Sequence, residues 1–199
     1  MMLAEVDQLR DFGPLAERAN SVADGAMIRF RAGGDTIAGF VRLPFEVLAG
    51  RTIVATGETS DVTVAATEFL AWLDGGPEPA RKDAHWLSPL PPRAGWQRIE
   101  VVPDSAVREV VRSGALLAHD TASRSGQQAL LDSIVLTVQS GDQRIEVPLG
   151  PLSALTRMGF LPRGGEAAVD TAPGWLRVAA QFGSTFLSTG TNQLGLLGF

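Results

Sequence analysis

The sequence contains no cysteine and no tyrosine, two histidines and, among 17 basic residues, a single lysine, Lys82. The absence of cysteine excludes disulfide bonds and thiol chemistry. Zinc sites need three or four His, Cys or carboxylate ligands close together, and His85 and His119 are 34 positions apart. The sequence therefore predicts no metal site and no bound cofactor.

The common signatures of nucleotide-binding proteins and serine hydrolases are also missing. A phosphate loop needs a lysine after its second glycine, whereas Lys82 follows Ala80-Arg81 in a proline-rich segment. Neither a Gly-x-Ser-x-Gly elbow nor a Ser-x-x-Lys pair occurs. What remains for catalysis is His119-Asp120 with nearby serines, which offers a general base, a carboxylate and a hydroxyl. Because neighbouring side chains usually diverge, a polar loop is the simpler interpretation.

Positive charge is in deficit, with 17 basic against 22 acidic residues and a net charge of -5. Nucleic acids and anionic lipids bind proteins through clustered Lys and Arg, so neither is an expected partner. No apolar run approaches the roughly 18 residues of a membrane span, and the first residues lack a signal-peptide pattern. We therefore expect a cytoplasmic protein.

Apolar and polar residues alternate over 28–43 and 134–147, and each segment is interrupted by a Gly- and Asp-containing turn. This pattern predicts two antiparallel hairpins. Helical spacing predicts short helices at 3–20, 62–73, 104–114 and 152–158. The other predictions are one helical turn at 45–49, strands at 52–55, 96–102 and 175–182, and a Gly-, Ser- and Thr-rich tail over 183–199. The predicted fold class is α+β, with antiparallel hairpins packed against short helices.

The predicted organisation has three parts. Residues 1–74 form an N-terminal helix-hairpin-helix lobe, residues 75–95 a Pro- and Gly-rich connector, and residues 96–199 a C-terminal α+β lobe with an apolar tail. Both hairpins end at a proline, which is compatible with two pseudo-repeated lobes. Two unrelated hairpins would look the same.

Two segments share the pattern Gly-Trp-x-Arg followed by Ile or Val, and they contain Trp96 with Arg98 and Trp175 with Arg177. Strand alternation places each Trp on the same face as its Arg, opposite Ile99 and Val101 or Leu176 and Val178. Trp and Arg are enriched at binding hot spots, which favours a partner-binding face. The alternative is a Trp that shields the sheet with an Arg stacked on it.

A second candidate combines Arg157 and Arg163 with Gly164-Gly165. Arginine is a bidentate donor and glycines expose backbone N–H groups, so the segment could bind an anion. A tight turn explains the glycines equally well.

The segment 152–164, Leu-Ser-Ala-Leu-Thr-Arg-Met-Gly-Phe-Leu-Pro-Arg-Gly, together with the Gly-Trp-x-Arg strands, resembles conserved actinobacterial proteins of unassigned function over most of the chain. This resemblance implies a bacterial, cytoplasmic setting and assigns no catalytic residue.

Two functional hypotheses follow from these patterns. The first is a binding or protein-interaction protein that uses the Trp/Arg face to recognise a protein partner or a second copy, with the apolar tail as a further docking segment. The second is a hydrolase or transferase acting on a small anionic substrate, with Arg157 and Arg163 binding the anion and His119 as base.

Overall fold

The computed structural model describes residues 6–44, 46–55, 61–119 and 123–190. The chain divides into two compact units, one of Met1–Pro44 with Leu48–Pro89 and one of Phe45–Val47 with Leu90–Phe199. Among the described residues, no helix combines the length and apolar character that crossing a membrane requires. The predicted apolar tail over 191–199 lies outside the described residues.

The first unit consists of a four-stranded antiparallel sheet and short helices. The strands are β1 (Met27–Gly33), β2 (Thr36–Arg42), β3 (Val47–Val54, in this unit from Leu48 on) and β4 (Val62–Ala65). Their order in the sheet is β4-β1-β2-β3. The helices are α1 (Val6–Leu9), α2 (Gly13–Val22) and α3 (Ala66–Leu73), with 3₁₀ turns at Arg10–Phe12 and Asp83–His85. The predicted hairpin over 28–43 is β1-β2.

Three phenylalanines form the centre of this unit. The Phe30 ring lies 5.1 Å from the Phe12 ring and 5.1 Å from the Phe69 ring, and all three side chains are fully buried. A Cβ atom at Gly39 would lie 2.8 Å from the Phe12 ring, so β2 needs a glycine where this helical aromatic residue meets the sheet. Fully buried aromatic residues of this kind dominate core energetics.

Two residues within the predicted connector, Lys82 and Asp83, pack against the outer strand β4. The Lys82 N–H donates to the Thr63 carbonyl over 2.7 Å, and the Asp83 carboxylate accepts from the Thr63 N–H over 2.7 Å and from Arg29 over 3.0 Å. Burial by itself raises the pKa of Asp83, but the Thr63 N–H and the charges of Arg81 and Arg29 outweigh it, and the pKa lies below its ordinary value. This segment therefore covers the unpaired backbone of an edge strand.

The described residues of the second unit form two sheets and three helices. Its elements are β5 (Gln97–Pro103), α4 (Asp104–His119), α5 (Arg124–Asp132), β6 (Ile134–Ser140), β7 (Gln143–Pro148), α6 (Leu149–Arg157), β8 (Glu166–Ala172), β9 (Trp175–Ala180) and β10 (Gly183–Ser188). The larger sheet is antiparallel with the order β10-β9-β8-β5, and β6-β7 forms a separate hairpin. That hairpin is the one predicted over 134–147.

Helices α4 and α6 pack against the larger sheet and against each other. They approach closely because α4 has a glycine at position 114, where a Cβ atom would clash with the Leu149 side chain. A glycine inside a helix, such as Gly114, is ordinarily destabilising relative to alanine. The structure shows that the same glycine makes room for a buried leucine.

The α+β fold class is confirmed, and each unit carries an antiparallel sheet with helices. The two proline-ended hairpins are nevertheless followed by different elements: residues 47–49, predicted as part of a helical turn, lie in strand β3, whereas α6 follows β7 directly. Residues 62–65, predicted as helix, form strand β4. Their run of four buried residues leads straight into α3 with no side-chain cap to mark the boundary.

Candidate functional site

The arginines of the two Gly-Trp-x-Arg segments lie in one row across the larger sheet. Arg98 on β5 is in register with Asp170 on β8, and Asp170 is in register with Arg177 on β9. Arg177 is in turn in register with Phe186 on β10. Cross-strand partners point to the same face, so this row belongs to the face opposite Leu176 and Val178.

Asp170 holds both arginines. The Arg98 Nε donates to Asp170 Oδ1 over 3.0 Å, the Arg177 Nε donates to Oδ2 over 2.9 Å, and Arg177 Nη2 lies 2.8 Å from the same Oδ2. Asp170 is only 1% exposed. A buried carboxylate is tolerated when charged donors satisfy both of its oxygens, as they do here.

Trp96 completes this cluster from the strand edge. The Arg177 guanidinium carbon lies 4.3 Å from the centroid of the Trp96 ring, which is within cation–π distance. The ring also packs 5.9 Å from Phe186, and its Nε1 donates to the Pro92 carbonyl over 3.1 Å. We call Trp96, Arg98, Asp170, Arg177 and Phe186 the Asp170 cluster.

The strand alternation predicted for β9 is confirmed at Leu176 and Val178, which are buried, but the strand ends at Ala180, and Phe182, the last residue of the predicted strand, is 43% exposed. On β5 it holds only as far as Ile99, which is 6% exposed. A register shift between Arg98 and Glu100 then reverses the pattern, so Val101 is 42% exposed and Val102 is 6% exposed. Bulges of this kind insert one extra residue and redirect the side chains that follow.

Trp175 lies apart from the Asp170 cluster and borders a cavity of about 500 Å³. We call this the Trp175 cavity. Its lining comes from β7, the β8-β9 hairpin and the end of β10. The lining residues are Arg144, Ile145, Glu146, Pro148, Thr171, Ala172, Trp175, Leu176, Leu187 and Thr189.

The lining of the Trp175 cavity combines apolar surface with a few polar groups, the composition typical of ligand-binding sites. Trp175 and Leu187 are partly exposed, as is Ile145 on β7. Arg144 and Glu146 are exposed and form no ion pair within the described part of the chain. Of these residues the sequence predicted only Trp175 as a binding residue, because, apart from its neighbour Leu176, the others share no motif with it.

Arg157 and Arg163 are both exposed, at the end of α6 and in the following turn. The backbone of the Gly164-Gly165 turn beside Arg163 is already hydrogen-bonded to the first residue of α4. The Gly165 carbonyl accepts from the Asp104 N–H over 2.9 Å, and the Gly165 N–H donates to the Pro162 carbonyl over 3.2 Å. Arg108, with the Gly164 N–H next in effect, holds the pKa of the Asp104 carboxyl below its ordinary value. Anion binding by Arg157 and Arg163 stays a prediction.

The proposed base of the enzyme hypothesis, His119, is the last residue of α4, and its side chain is outside the described part of the structure, as is Asp120. Within the described ranges, no three His, Asp or Glu side chains are grouped so that they could hold a metal ion.

Comparison with solved structures identifies the fold as that of bacterial DNA polymerase sliding clamps. The DNA polymerase III subunit beta from Pseudomonas aeruginosa is 11% identical, with a TM-score of 0.62 over 94% of this chain and 64% of that chain. A putative DNA polymerase III beta subunit from Eubacterium rectale is 10% identical, with a TM-score of 0.60 over 94% and 63%. The Helicobacter pylori beta clamp in complex with carprofen is 10% identical, with a TM-score of 0.58 over 90% and 61%.

The chain spans less than two thirds of the length of these clamps, and at such low identity the likeness establishes the fold alone. No curated protein matches the chain. The chain belongs to the family described as "Domain of unknown function (DUF8185)", which matches residues 91–192. Residues 1–91 match a second family, "Domain of unknown function (DUF8010)".

Proposed function

We propose that this protein is a non-catalytic protein-interaction protein that binds an extended polypeptide segment in the Trp175 cavity. The observation that carries this proposal is the cavity of about 500 Å³ with Trp175 and Leu187 in its wall. Sites for small ligands have volumes of about 300 to 1,000 Å³ and mostly apolar walls with a few polar groups.

The sequence predicted a partner-binding face made of Trp96, Arg98, Trp175 and Arg177. This proposal restricts the binding surface to the surroundings of Trp175. The guanidinium of Arg177 is stacked on Trp96 and bonded to Asp170, so these side chains support the sheet from which Trp175 projects. Trp175 combines a large contact area with a position at a cavity, which is the usual setting of a binding hot spot.

A clamp of similar fold supplies small-molecule probes for this proposal. The Helicobacter pylori beta clamp forms complexes with carprofen and with diflunisal. Both compounds are aromatic acids. In the Trp175 cavity, the ring would pack against Trp175 and the carboxylate would face Arg144.

Isothermal titration calorimetry with carprofen and diflunisal tests the proposal directly. We expect saturable binding to the protein, and a loss of affinity of at least about tenfold in Trp175→Ala and Leu187→Glu, since single anchors of an interface contribute about 2 kcal/mol. Trp86→Ala is the matched control, because Trp86 belongs to the first unit and its Nε1 bonds the Ser88 carbonyl. Absence of binding, or equal binding by Trp175→Ala, would overturn the proposal.

The cytoplasmic location, the resemblance to actinobacterial proteins and the expectation that nucleic acid is not a partner stay predictions.

A further inference from the structure

The free edge of strand β7 borders the Trp175 cavity. Three consecutive residues of this strand, Arg144, Ile145 and Glu146, line the cavity. Successive side chains of a strand point to opposite faces, so a cavity that met only one face would be lined by alternate residues. Lining by three residues in a row therefore places the edge of the strand, with its backbone N–H and C=O groups, at the cavity.

Within the described residues, β7 pairs with β6 and with no other strand. An edge strand with unpaired backbone groups is a template for pairing with another chain. The first unit covers such an edge, β4, with Lys82 and Asp83, as described above. No corresponding segment covers β7 among the described residues.

The charged side chains of β7 have no charged partner on β6. Arg144 is in register with Gln139 on β6 and Glu146 with Thr137, both of which are uncharged. Both charged side chains are exposed, and neither forms an ion pair within the described ranges. Because they are two residues apart, Arg144 and Glu146 lie on the same face of the strand.

We propose that the occupant of this edge is a second copy of the chain, paired through β7 in antiparallel orientation about Ile145. In this register Arg144 lies opposite the second copy's Glu146, Ile145 lies opposite the second copy's Ile145, and Glu146 lies opposite the second copy's Arg144. The sequence Arg-Ile-Glu is thus complementary to itself. A two-fold axis requires this property, because the same patch contacts itself in both copies.

The pairing supplies three kinds of interaction. The backbone groups of two edge strands satisfy each other, and two β6-β7 hairpins become one four-stranded sheet. Two opposite-charge pairs form across the strands. The second copy's β7 also enters the Trp175 cavity from its open edge. The inference rests on the proposed function, because it names the partner that the same cavity binds.

Charge exchange at these two positions tests the pairing, with association measured by sedimentation velocity over a range of protein concentrations. The unchanged protein should show a concentration-dependent dimer. Arg144→Glu places Glu opposite Glu at both pairs, and Glu146→Arg places Arg opposite Arg. Each single variant should raise the dimer dissociation constant by about tenfold or more, since two attractive cross-strand pairs become repulsive.

Complementation distinguishes specific pairing from a general effect of charge. An equimolar mixture of Arg144→Glu and Glu146→Arg should form a heterodimer, because each pair is again of opposite sign. The double variant Arg144→Glu/Glu146→Arg should recover the homodimer. Arg112→Glu is the control, because it makes the same charge change at an exposed position on α4, and it should leave the dissociation constant unchanged.

A monomer at every concentration would overturn the inference, as would a dimer that none of these variants weakens, or single variants that fail to complement each other. The proposed function is judged separately by carprofen binding. If carprofen binds in a Trp175-dependent way to a protein that never dimerises, the cavity still binds a partner and only the assignment of a second copy falls. If the exchange variants behave as expected but carprofen does not bind even to the monomeric Glu146→Arg variant, in which no second copy occupies the cavity, the dimer stands and the proposed ligand site falls.

Discussion

The two Gly-Trp-x-Arg segments have nearly the same sequence and different surroundings. Trp96 precedes an edge strand and lies under a guanidinium, whereas Trp175 begins an inner strand and borders a cavity. The arginines show the reverse. In the segment with the covered Trp96 the arginine side chain, Arg98, is 59% exposed, whereas in the segment with Trp175 at the cavity the arginine side chain, Arg177, is 25% exposed. The tryptophan of the first segment and the arginine of the second therefore form a structural pair.

This difference arises from the neighbours of each strand. Arg177 lies on β9 between β8 and β10, so Asp170 and Phe186 flank it on both sides. Arg98 lies on β5, at the edge, and has a partner on one side only. The same motif therefore has different roles in the two segments, and we expect different results when each tryptophan is replaced by alanine.

The largest effect is expected for Arg177→Ala. This variant removes two contacts to a carboxylate that is 1% exposed and the cation that stacks on Trp96, so we expect a loss of about 3 kcal/mol in the free energy of unfolding. Urea denaturation followed by circular dichroism measures it. A loss no greater than that of Arg98→Ala would contradict the central role given to Arg177.

Trp96→Ala should have the next largest effect. The ring packs on Phe186 and Arg177 and bonds the Pro92 carbonyl, but it is partly exposed, so the expected cost is about 2 kcal/mol, below that of a fully buried tryptophan. Trp96→Phe keeps the aromatic packing and should recover part of this loss. Carprofen binding should persist in the folded fraction of both variants, since Trp96 does not line the Trp175 cavity.

The sequence predicted those parts of the fold whose signals are local. Both hairpins have alternating apolar residues and a turn with glycine at positive φ, Gly34 in one and Gly141 in the other. Strand β8 was missed because three of its seven residues are alanine, and its most buried polar residue, Asp170, looks like a surface residue in the sequence. Strand β10 was missed because the fully buried Thr185, whose hydroxyl donates to the Pro151 carbonyl, reads as polar.

The candidate site was predictable only in part, for a related reason. Alternation correctly placed each tryptophan on the face of its arginine, but it could not show that Asp170 lies between the two arginines, because 72 positions separate Asp170 from Arg98. The lining of the Trp175 cavity comes from four strands. Its charged residues on β7 have no sequence feature in common with Trp175, so only the fold brings them together.

Trp175→Ala should affect stability less than Trp96→Ala. Its ring is partly exposed at the cavity, so we expect a loss of about 1 kcal/mol in the free energy of unfolding. The same variant should lose carprofen binding. Equal destabilisation by the two alanine variants would show that Trp175 is a packing residue and would remove the distinction between the two segments.

Arg98→Ala is expected to have the smallest effect, about 0.5 kcal/mol, because its side chain is 59% exposed and exposed ion pairs contribute little. The double variant Arg98→Ala/Arg177→Ala sharpens this prediction. Both arginines satisfy the same buried carboxylate, so the loss of the second leaves Asp170 with neither arginine, and the double variant should cost more than the sum of the single ones. Additive losses in urea denaturation would mean that Arg98 acts independently of Arg177, and that the edge strand contributes nothing to holding Asp170 in place.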